Sequence, residues 1–298
     1  MDRLQAMTAF VTVVDSGGFA SAARKLQLSP PVVTRAVAEL EQRLGLPLLT
    51  RTTRFVRVTE AGARFADDCR RILGEIEEAE RAAAGAHAAP RGTLTLTAPV
   101  LFGHLYVTPL LVRYLAQYPE VDAQCLFLDR VVNLMEEGVD VAVRIGALPD
   151  SSLQATRVGE VRRVLVASPA YLAQHGAPQR PEALDAHAIV WAGMNPGSEW
   201  RFVEGDKTLA QRVHPRMRST TNDAAIAAAV AGFGITRVLS YQVASALAAG
   251  TLQTVLAPFE PAPLPIHVVH REGRQASRKV RGFIDLIVDA LRADASLN

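Results

Sequence analysis

Cysteine is nearly absent from the 298-residue chain: only Cys69 and Cys125 occur, in segments of different character. So few thiols exclude a disulfide framework and fit a reducing, cytoplasmic setting. Long apolar runs are missing too, none approaching the roughly 18 to 20 residues that span a bilayer, so no membrane association is expected. The opening MDRLQAMTAF has neither the apolar stretch nor the small-residue cleavage site of a secretory signal. There is no nucleophile elbow, Walker loop or paired acid/base spacing, which leaves no catalytic residue to nominate and argues against an enzyme. His267 and His270 stand three apart on a strand and so face opposite sides, a poor metal pair; no metal or cofactor is expected.

Core material, by contrast, is ample. Hydrophobic residues make up 49% of the chain and charged residues 21%, and the length suits two domains of unequal size. The net charge of +2 conceals an uneven distribution. Residues 1–58 carry eight Lys/Arg against four Asp/Glu, residues 59–89 four against seven, and the remaining 209 residues 20 against 19. Positive charge gathers in the first segment, where a polyanionic partner is expected.

That segment reads as three short helices. Leu4, Met7, Phe10, Val11 and Val14 recur at helical spacing until Ser16-Gly17-Gly18 stops them. Phe19–Leu26 is a second helix, alanine-rich and able to take a close neighbour. Leu28-Ser29-Pro30-Pro31 then starts a third: Ser29 can cap it, Pro30 suits its first position, and Leu28 can pack on Val33 as a staple. Val33, Val37, Leu40 and Leu44 form the buried seam of that helix, which ends at Gly45. Residues 50–58 (TRTTRFVRV) switch to β-favouring residues with interleaved arginines, as in a hairpin wing. From Thr59 to about Ala88 the helical period returns, with a heptad seam of Phe65, Cys69, Ile72, Ile76, Ala79 and Ala83 that needs a partner helix, here expected to be the same helix of a second copy. Gly85–Gly92, containing Pro90, breaks the helix.

Beyond Gly92, strands and helices alternate as in a parallel sheet with crossover helices. Expected strands are Thr93–Thr97, Val121–Leu128, Val139–Ile145, Val161–Ala167, His187–Gly193, Trp200–Val203, Ile235–Leu239 and 264–271. Expected helices are Leu101–Tyr118, a short Val131–Glu137, Asp223–Gly232 and a final amphipathic Ser277–Ala293. A chain that leaves one α/β lobe near 161 and returns near 266 makes two lobes joined by two crossing segments.

A short helix, a tight turn and a helix with a polar first turn is a common reader of the DNA major groove. The buried seam turns Pro31, Val32, Thr34 and Arg35 outward. Arg35 can donate two hydrogen bonds to a guanine edge, while Val32 and Thr34 can meet a thymine methyl. Arg51, Arg54 and Arg57 suit phosphates or the minor groove. The alternative is a structural three-helix cap with solvated arginines.

The run AFVTVVDSGGFASAARKLQLSPPVVTRAVAELEQRLGLPLLTRTTRFVRVTEAG resembles the N-terminal domain of LysR-type transcriptional regulators along its whole length. The family pattern is "GSFTxAAxxL", "LSQPAVSRxIxxLExxLG" and "PLFxRxxRxxxLTxAG". Gly18-Phe19, Ala22-Ala23, Leu26, Ser29, Pro31, Val33, Arg35, Leu40-Glu41, Leu44-Gly45, Pro47-Leu48, Arg51, Arg54, Thr59 and Ala61-Gly62 all match it. Pro30 stands where the family usually has glutamine and Thr34 where it has serine, so readout falls more heavily on Arg35, Thr34 and the wing. The rest of the chain, from TLTLTAPVLFGHLYVTPLL through DRVVNLMEEGVDVAVRIGALPDSSL, is similar to the regulatory domain of one large subgroup.

The resemblance implies an all-α winged helix-turn-helix (1–58, contacts Ser29, Pro30, Pro31, Val32, Thr34, Arg35, Arg51, Arg54 and Arg57) and a linker or dimerisation helix (59–89). It also implies an α/β regulatory domain (90–298) of two Rossmann-like lobes resembling periplasmic binding proteins. Lobe I takes about 90–161 and 266–298, lobe II about 162–265. The implied partners are a double-stranded operator, RNA polymerase, a second copy forming a homodimer and then a homotetramer, and a small effector between the lobes.

Strand ends and helix N-termini lining such a cleft attract anions, so a carboxylate or aromatic acid is the expected effector. The candidate contacts are Pro99, Val100, Leu101, Arg144, Trp200, Thr221 and Asn222. The family's usual hydroxyl near the first helix is replaced by Ala98-Pro99, leaving backbone amides as donors. Arg144 reads equally as an ion-pair residue, Trp200 as core, and Thr221 and Asn222 as helix caps. A regulator of this fold without effector, and a thiol-based redox sensor, remain as alternatives; against the latter, Cys69 lies in the seam and Cys125 on a strand expected to be buried, both settings for inert thiols.

Overall fold

A computed structural model describes residues 2–51, 56–83, 89–149, 153–193, 199–271 and 277–297. The chain forms two compact units, Met1–Thr93 and Leu94–Asn298. Among the described residues no helix is long and apolar enough to cross a membrane.

The first unit contains α1 (Arg3–Ser16), α2 (Phe19–Leu26), α3 (Pro30–Leu44), the antiparallel pair β1 (Leu49–Arg51) and β2 (Val56–Val58), and α4 (Glu60–Ala83). Gly17 and Gly45 end α1 and α3 in the left-handed region, at φ 69° and 71°, a conformation that Gly adopts without steric cost. Met7, Phe10, Val13, Ala22, Ala23, Val33, Val37 and Leu40 make one core. Leu44, expected to close the seam of α3, is 36% exposed instead, because it sits in the last turn where the chain leaves the core.

The seam of α4 also differs from expectation. Phe65, Ala66, Cys69, Ile72 and Leu73 belong to this same core, and Phe65 packs on Phe10 with ring centroids 5.8 Å apart. Arg70 adds ion pairs to Asp15 of α1 and Asp67, both at 2.6 Å. The first half of the seam therefore has its partner within its own chain. The side chains of Ala79 and Ala83, at the far end, lie outside the described residues.

The second unit holds two five-stranded sheets. Lobe I consists of β3 (Gly92–Ala98), a continuous helix made of α5 (Val100–Phe102), a π-helical turn (Gly103–Val107) and α6 (Thr108–Gln117), then β4 (Val121–Phe127), β5 (Val141–Ile145) and β6 (Gln154–Val161). The chain crosses to lobe II with β7 (Arg163–Ala167), α7 (Pro169–His175), β8 (Ile189–Ala192), the hairpin β9 (Glu199–Glu204) and β10 (Lys207–Arg212), and β11 (Pro215–Ser219). Then follow α8 (Asn222–Val230), β12 (Ile235–Leu239), α9 (Ser240–Ala248) and β13 (Gln253–Val255); β14 (Leu264–His270) and α10 (Arg278–Ala293) return to lobe I. The strand orders are β4-β3-β5-β14-β6 and β11-β8-β12-β7-β13. In each, a parallel core (β3 with β5; β11 and β12 with β8), as the alternating pattern predicts, is flanked by antiparallel strands that it does not.

Residues 131–137 do not form the expected helix. Asn133 closes a single turn instead, its carbonyl accepting from the Glu137 amide at 3.0 Å and its side chain from Met135 at 3.0 Å. Buried Val132, Leu134 and Val139 pin this loop on the sheet face behind Ala142. Cys125, expected to be buried in its strand, is exposed, since β4 is an edge strand of lobe I.

The two crossings between lobes are tied together. Arg162, between β6 and β7, pairs with Glu260 on the returning segment at 2.8 Å. Its backbone carbonyl also accepts from the Ser240 amide at 2.8 Å, and its amide donates to the Ser240 hydroxyl at 3.1 Å.

Candidate nucleic-acid interface and ligand cleft

The turn before α3 is only three residues long. Gln27 takes φ 56°, and the Leu28 amide bonds back to the Ala23 carbonyl at 2.9 Å. Ser29 caps α3 through its carbonyl, which receives the Val32 and Val33 amides at 3.0 and 3.3 Å, while its hydroxyl makes no capping bond. The hydroxyl is thus left to the exposed first turn, with Pro30, Pro31, Val32 and Arg35 around it and Thr34 half-buried. Val33 and Val37 on the opposite side are fully buried, so the helix has one fixed outward face. Arg35, 83% exposed, donates from Nε to Glu39 Oε1 at 3.0 Å, and this bond holds the Glu39 carboxyl below the usual carboxylate range.

The wing is anchored by residues whose roles sequence spacing did not assign. Glu41 of α3 accepts the Leu48 and Leu49 amides at 2.9 and 3.0 Å. Thr59 donates its hydroxyl to the Pro47 and Leu48 carbonyls at 2.9 and 3.1 Å and accepts the Gly62 amide at 2.9 Å. A Cβ on Gly62 would stand 2.0 Å from the Leu48 carbonyl oxygen, so only glycine lets α4 start this close to the strand. Arg57 on β2 is exposed. The Arg51 side chain and all of Arg54 lie outside the described residues.

The effector candidates do not form one group. Pro99, Val100 and Leu101 stand together at the start of α5, and three amides there are engaged: Val100 donates to Asp129 Oδ1 at 3.0 Å, Gly103 to the Pro99 carbonyl at 2.8 Å, and the Phe102 amide lies against the Tyr241 phenol. Burial pushes that phenol up, Asp129 adding to the effect. At α8, Thr221 is the capping residue and Asn222 the first helical one. The Thr221 hydroxyl bonds Asp223, which lowers the pKa of that carboxyl. Both helix starts thus already carry a carboxylate of the protein itself.

Arg144 stands level with Pro99 on the neighbouring strand, two residues past the Thr97–Ala142 pairing of β3 and β5, whereas Trp200 lies in a core of lobe II. On β5, Val141 and Val143 enter the core under α5 and α6, so Arg144 shares the opposite face with Ala142. There it donates to the Val132 carbonyl and holds the 131–139 loop; burial lowers its pKa. Trp200 is 2% exposed, stacked on Trp191 at 5.9 Å.

Residues 4–63 match the family described as "Bacterial regulatory helix-turn-helix protein, lysR family" and residues 87–292 the "LysR substrate binding domain". An HTH-type transcriptional regulator of Xanthomonas campestris pv. campestris is 36% identical over 96% of this chain and 85% of its own length. An HTH-type transcriptional repressor of Pseudomonas aeruginosa is 34% identical over 97% and 92%. The solved structure of CrgA, a LysR-type transcriptional regulator from Neisseria meningitidis, superposes with a TM-score of 0.62 at 31% identity, covering 96% of this chain and 98% of that one.

Proposed function

The chain belongs to the LysR family of helix-turn-helix transcriptional regulators, and we propose that it reads its operator through the outward face of α3. It is a DNA-binding regulator with an effector-binding domain; the residue roles that follow are our reading. Arg35 contacts a base edge, Ser29, Pro30, Pro31, Val32 and Thr34 complete the surface against the groove, and Arg51, Arg54 and Arg57 hold phosphates on the wing side. The observation that carries this is the division of α3: Val33 and Val37 fully buried, Arg35 83% exposed four residues before an acidic partner. Footprinting on the chain's own upstream region tests it. Protection of an interrupted palindrome that is lost in Arg35→Ala supports the reading; unchanged protection overturns it.

Two copies pair through the part of α4 beyond Leu73, where the heptad seam continues with Ile76, Ala79 and Ala83, placing two recognition helices on half-sites. Regulatory domains then join dimers into a tetramer, and a change in lobe angle alters spacing on DNA and hence access of RNA polymerase. The domain limits 1–58, 59–89 and 90–298 serve this division of labour.

The effector enters between the lobes, against Pro99, Val100 and Leu101 on one side and Thr221 and Asn222 on the other. Val100, 43% exposed, offers it apolar surface. With Asp129 and Asp223 already at the two helix starts, a ligand carrying hydrogen-bond donors fits this mouth better than the acid anticipated from sequence.

A further inference from the structure

Side chains of the lobe II sheet are sorted by alternation. Val164, Val166 and Val238 enter the core beneath α8 and α9, whereas Leu165, Ala167 and Ile235 enter the opposite one, with Trp200 and Phe202 of the β9–β10 hairpin. Arg163 and Arg237 belong to this second face. Register sets Arg163 opposite Leu239 and Arg237 opposite Leu165, so the two arginines are diagonal neighbours on adjacent strands. They line a half-open cavity of about 420 Å³ together with Glu199, Arg201, Phe202 and Pro261, a volume within the range of small-molecule sites.

The charges in this cavity are unbalanced. Arg201 has Glu199 at 3.9 Å, and Glu260, next to Pro261, is engaged by Arg162 at 2.8 Å. Neither Arg163 nor Arg237 has a hydrogen-bond or ion-pair partner among the described residues; Arg237 only lies over the Trp200 ring, 5.3 Å from its centroid. Burial, then the charge of Arg163, push the Arg237 pKa down to about 10, and burial lowers that of Arg163. Two half-buried cations held side by side without a counter-ion are unfavourable, and apolar side chains would pack there at no such cost. The arrangement is complete only with an anion.

We propose that this cavity is a second ligand site, which takes a small organic carboxylate bridged by Arg163 and Arg237, its apolar body resting on Phe202 and Pro261. It lies on the sheet face opposite α8, beside the crossings at Arg162 and Glu260, and since it shares no residue with the effector candidates it does not rest on the effector reading given above.

The chain's two tryptophans, Trp191 and Trp200, form the stacked pair beneath this site, so its indole emission reports on the cavity wall. The test titrates the full-length protein with benzoate, with benzamide as the neutral analogue of the same shape and sulfate as an anion without the body. A saturable emission change with benzoate at a midpoint near or below about 1 mM, absent with benzamide and weakened at least about tenfold in both Arg237→Met and Arg163→Gln, supports the site. Far-UV circular dichroism verifies that each variant is folded, and Arg237→Met is expected to melt higher than the parent while losing the stabilisation by benzoate. No saturable response, an equal response to benzamide, a sulfate response matching that of benzoate, or a response that survives in both variants each overturns the proposal.

Discussion

Arg35 and Glu39, one helical turn apart on α3, are joined by a 3.0 Å bond from Nε to Oε1. In the free protein the guanidinium proposed to read DNA is thus already held by a carboxylate through Nε, a bond that does not use its Nη groups. The same carboxylate repels phosphates that approach out of register. Glu39→Gln should therefore raise affinity for random duplex more than for operator, by roughly three- to tenfold against little change, as a competition binding assay would read. Because the bond lowers the Glu39 pKa, the pair is fully formed above the unfolded-chain value of about 4.5 and is lost only as pH falls through the folded one. Discrimination between operator and random DNA should accordingly stay flat between about pH 6 and 8.

Glu41 provides a different kind of leverage. It collects the Leu48 and Leu49 amides on one oxygen, and hydrogen bonds to a charged acceptor contribute about 1.5–3 kcal/mol each. Glu41→Ala should destabilise the first unit by about 2–4 kcal/mol in urea denaturation, with Glu41→Gln intermediate. Gly62→Ala, which forces a methyl against the Leu48 carbonyl, should be at least as damaging. Either variant with unaltered stability would dismiss the clamp.

Punctuation made the first unit legible in sequence. Gly17-Gly18, Ser29-Pro30 and Gly45 delimit helices that run Phe19–Leu26 and Pro30–Leu44 in the structure, as expected. What escaped sequence reading depends on contacts between distant positions. Asp129 reaches the α5 start from 29 residues away, and nothing in a period-2 or period-3.6 pattern anticipates that. Gln27 adopts a left-handed turn that sequence usually signals with Gly or Asn. Arg163 and Arg237 sat inside runs read simply as strands, because alternation gives a residue's face but not whether a buried cation has a partner. Residues 131–137 misled for the opposite reason: their apolar spacing suits a helix, but the sheet face behind Ala142 fixes them as a loop.

Asp129 sets up a gain-of-function test at the inter-lobe mouth. Asp129→Ala removes the carboxylate from the Val100 amide and returns a free donor to the positive end of a helix. The variant should bind small carboxylates such as acetate more tightly than the parent, by about two- to fivefold, in isothermal titration. An unchanged affinity would mean that the amide is not accessible to ligand.

Arg162 and Glu260 span the two crossings, but unequally: Glu260 is 10% exposed and Arg162 52%. The second oxygen of Glu260 is buried without a partner among the described residues. Removing the arginine strands a buried charge, whereas removing the charge strands only an exposed arginine. Arg162→Ala should therefore cost about 1–3 kcal/mol and Glu260→Gln distinctly less, with the double variant close to Glu260→Gln alone. A thermal-denaturation cycle of the four proteins measures this, and equal single-variant costs would refute the asymmetry.

Of the two thiols, Cys69 is unsuited to a redox switch, whereas Cys125 is exposed on β4. The Cys69 side chain is fully buried in the core of the first unit, and burial pushes its pKa from 9.0 up to about 11, with Asp68 contributing. A thiol that stays protonated and out of contact with solvent is a poor target for peroxide, so operator binding by Cys69→Ala should respond to oxidant as the parent does. The sign of its stability effect follows from the same shift. The folded pKa lies above the unfolded one, so the contribution is complete below about pH 9 and disappears as pH climbs toward about 11. Each pKa unit is worth about 1.4 kcal/mol, so the stability gap between parent and Cys69→Ala should shrink by about 2–3 kcal/mol across that window. The cavity left by alanine adds only a constant, which the pH dependence removes. A gap that does not change with pH would show that the thiol ionises as freely in the folded chain as in the unfolded one, and would make Cys69 a redox candidate beside Cys125.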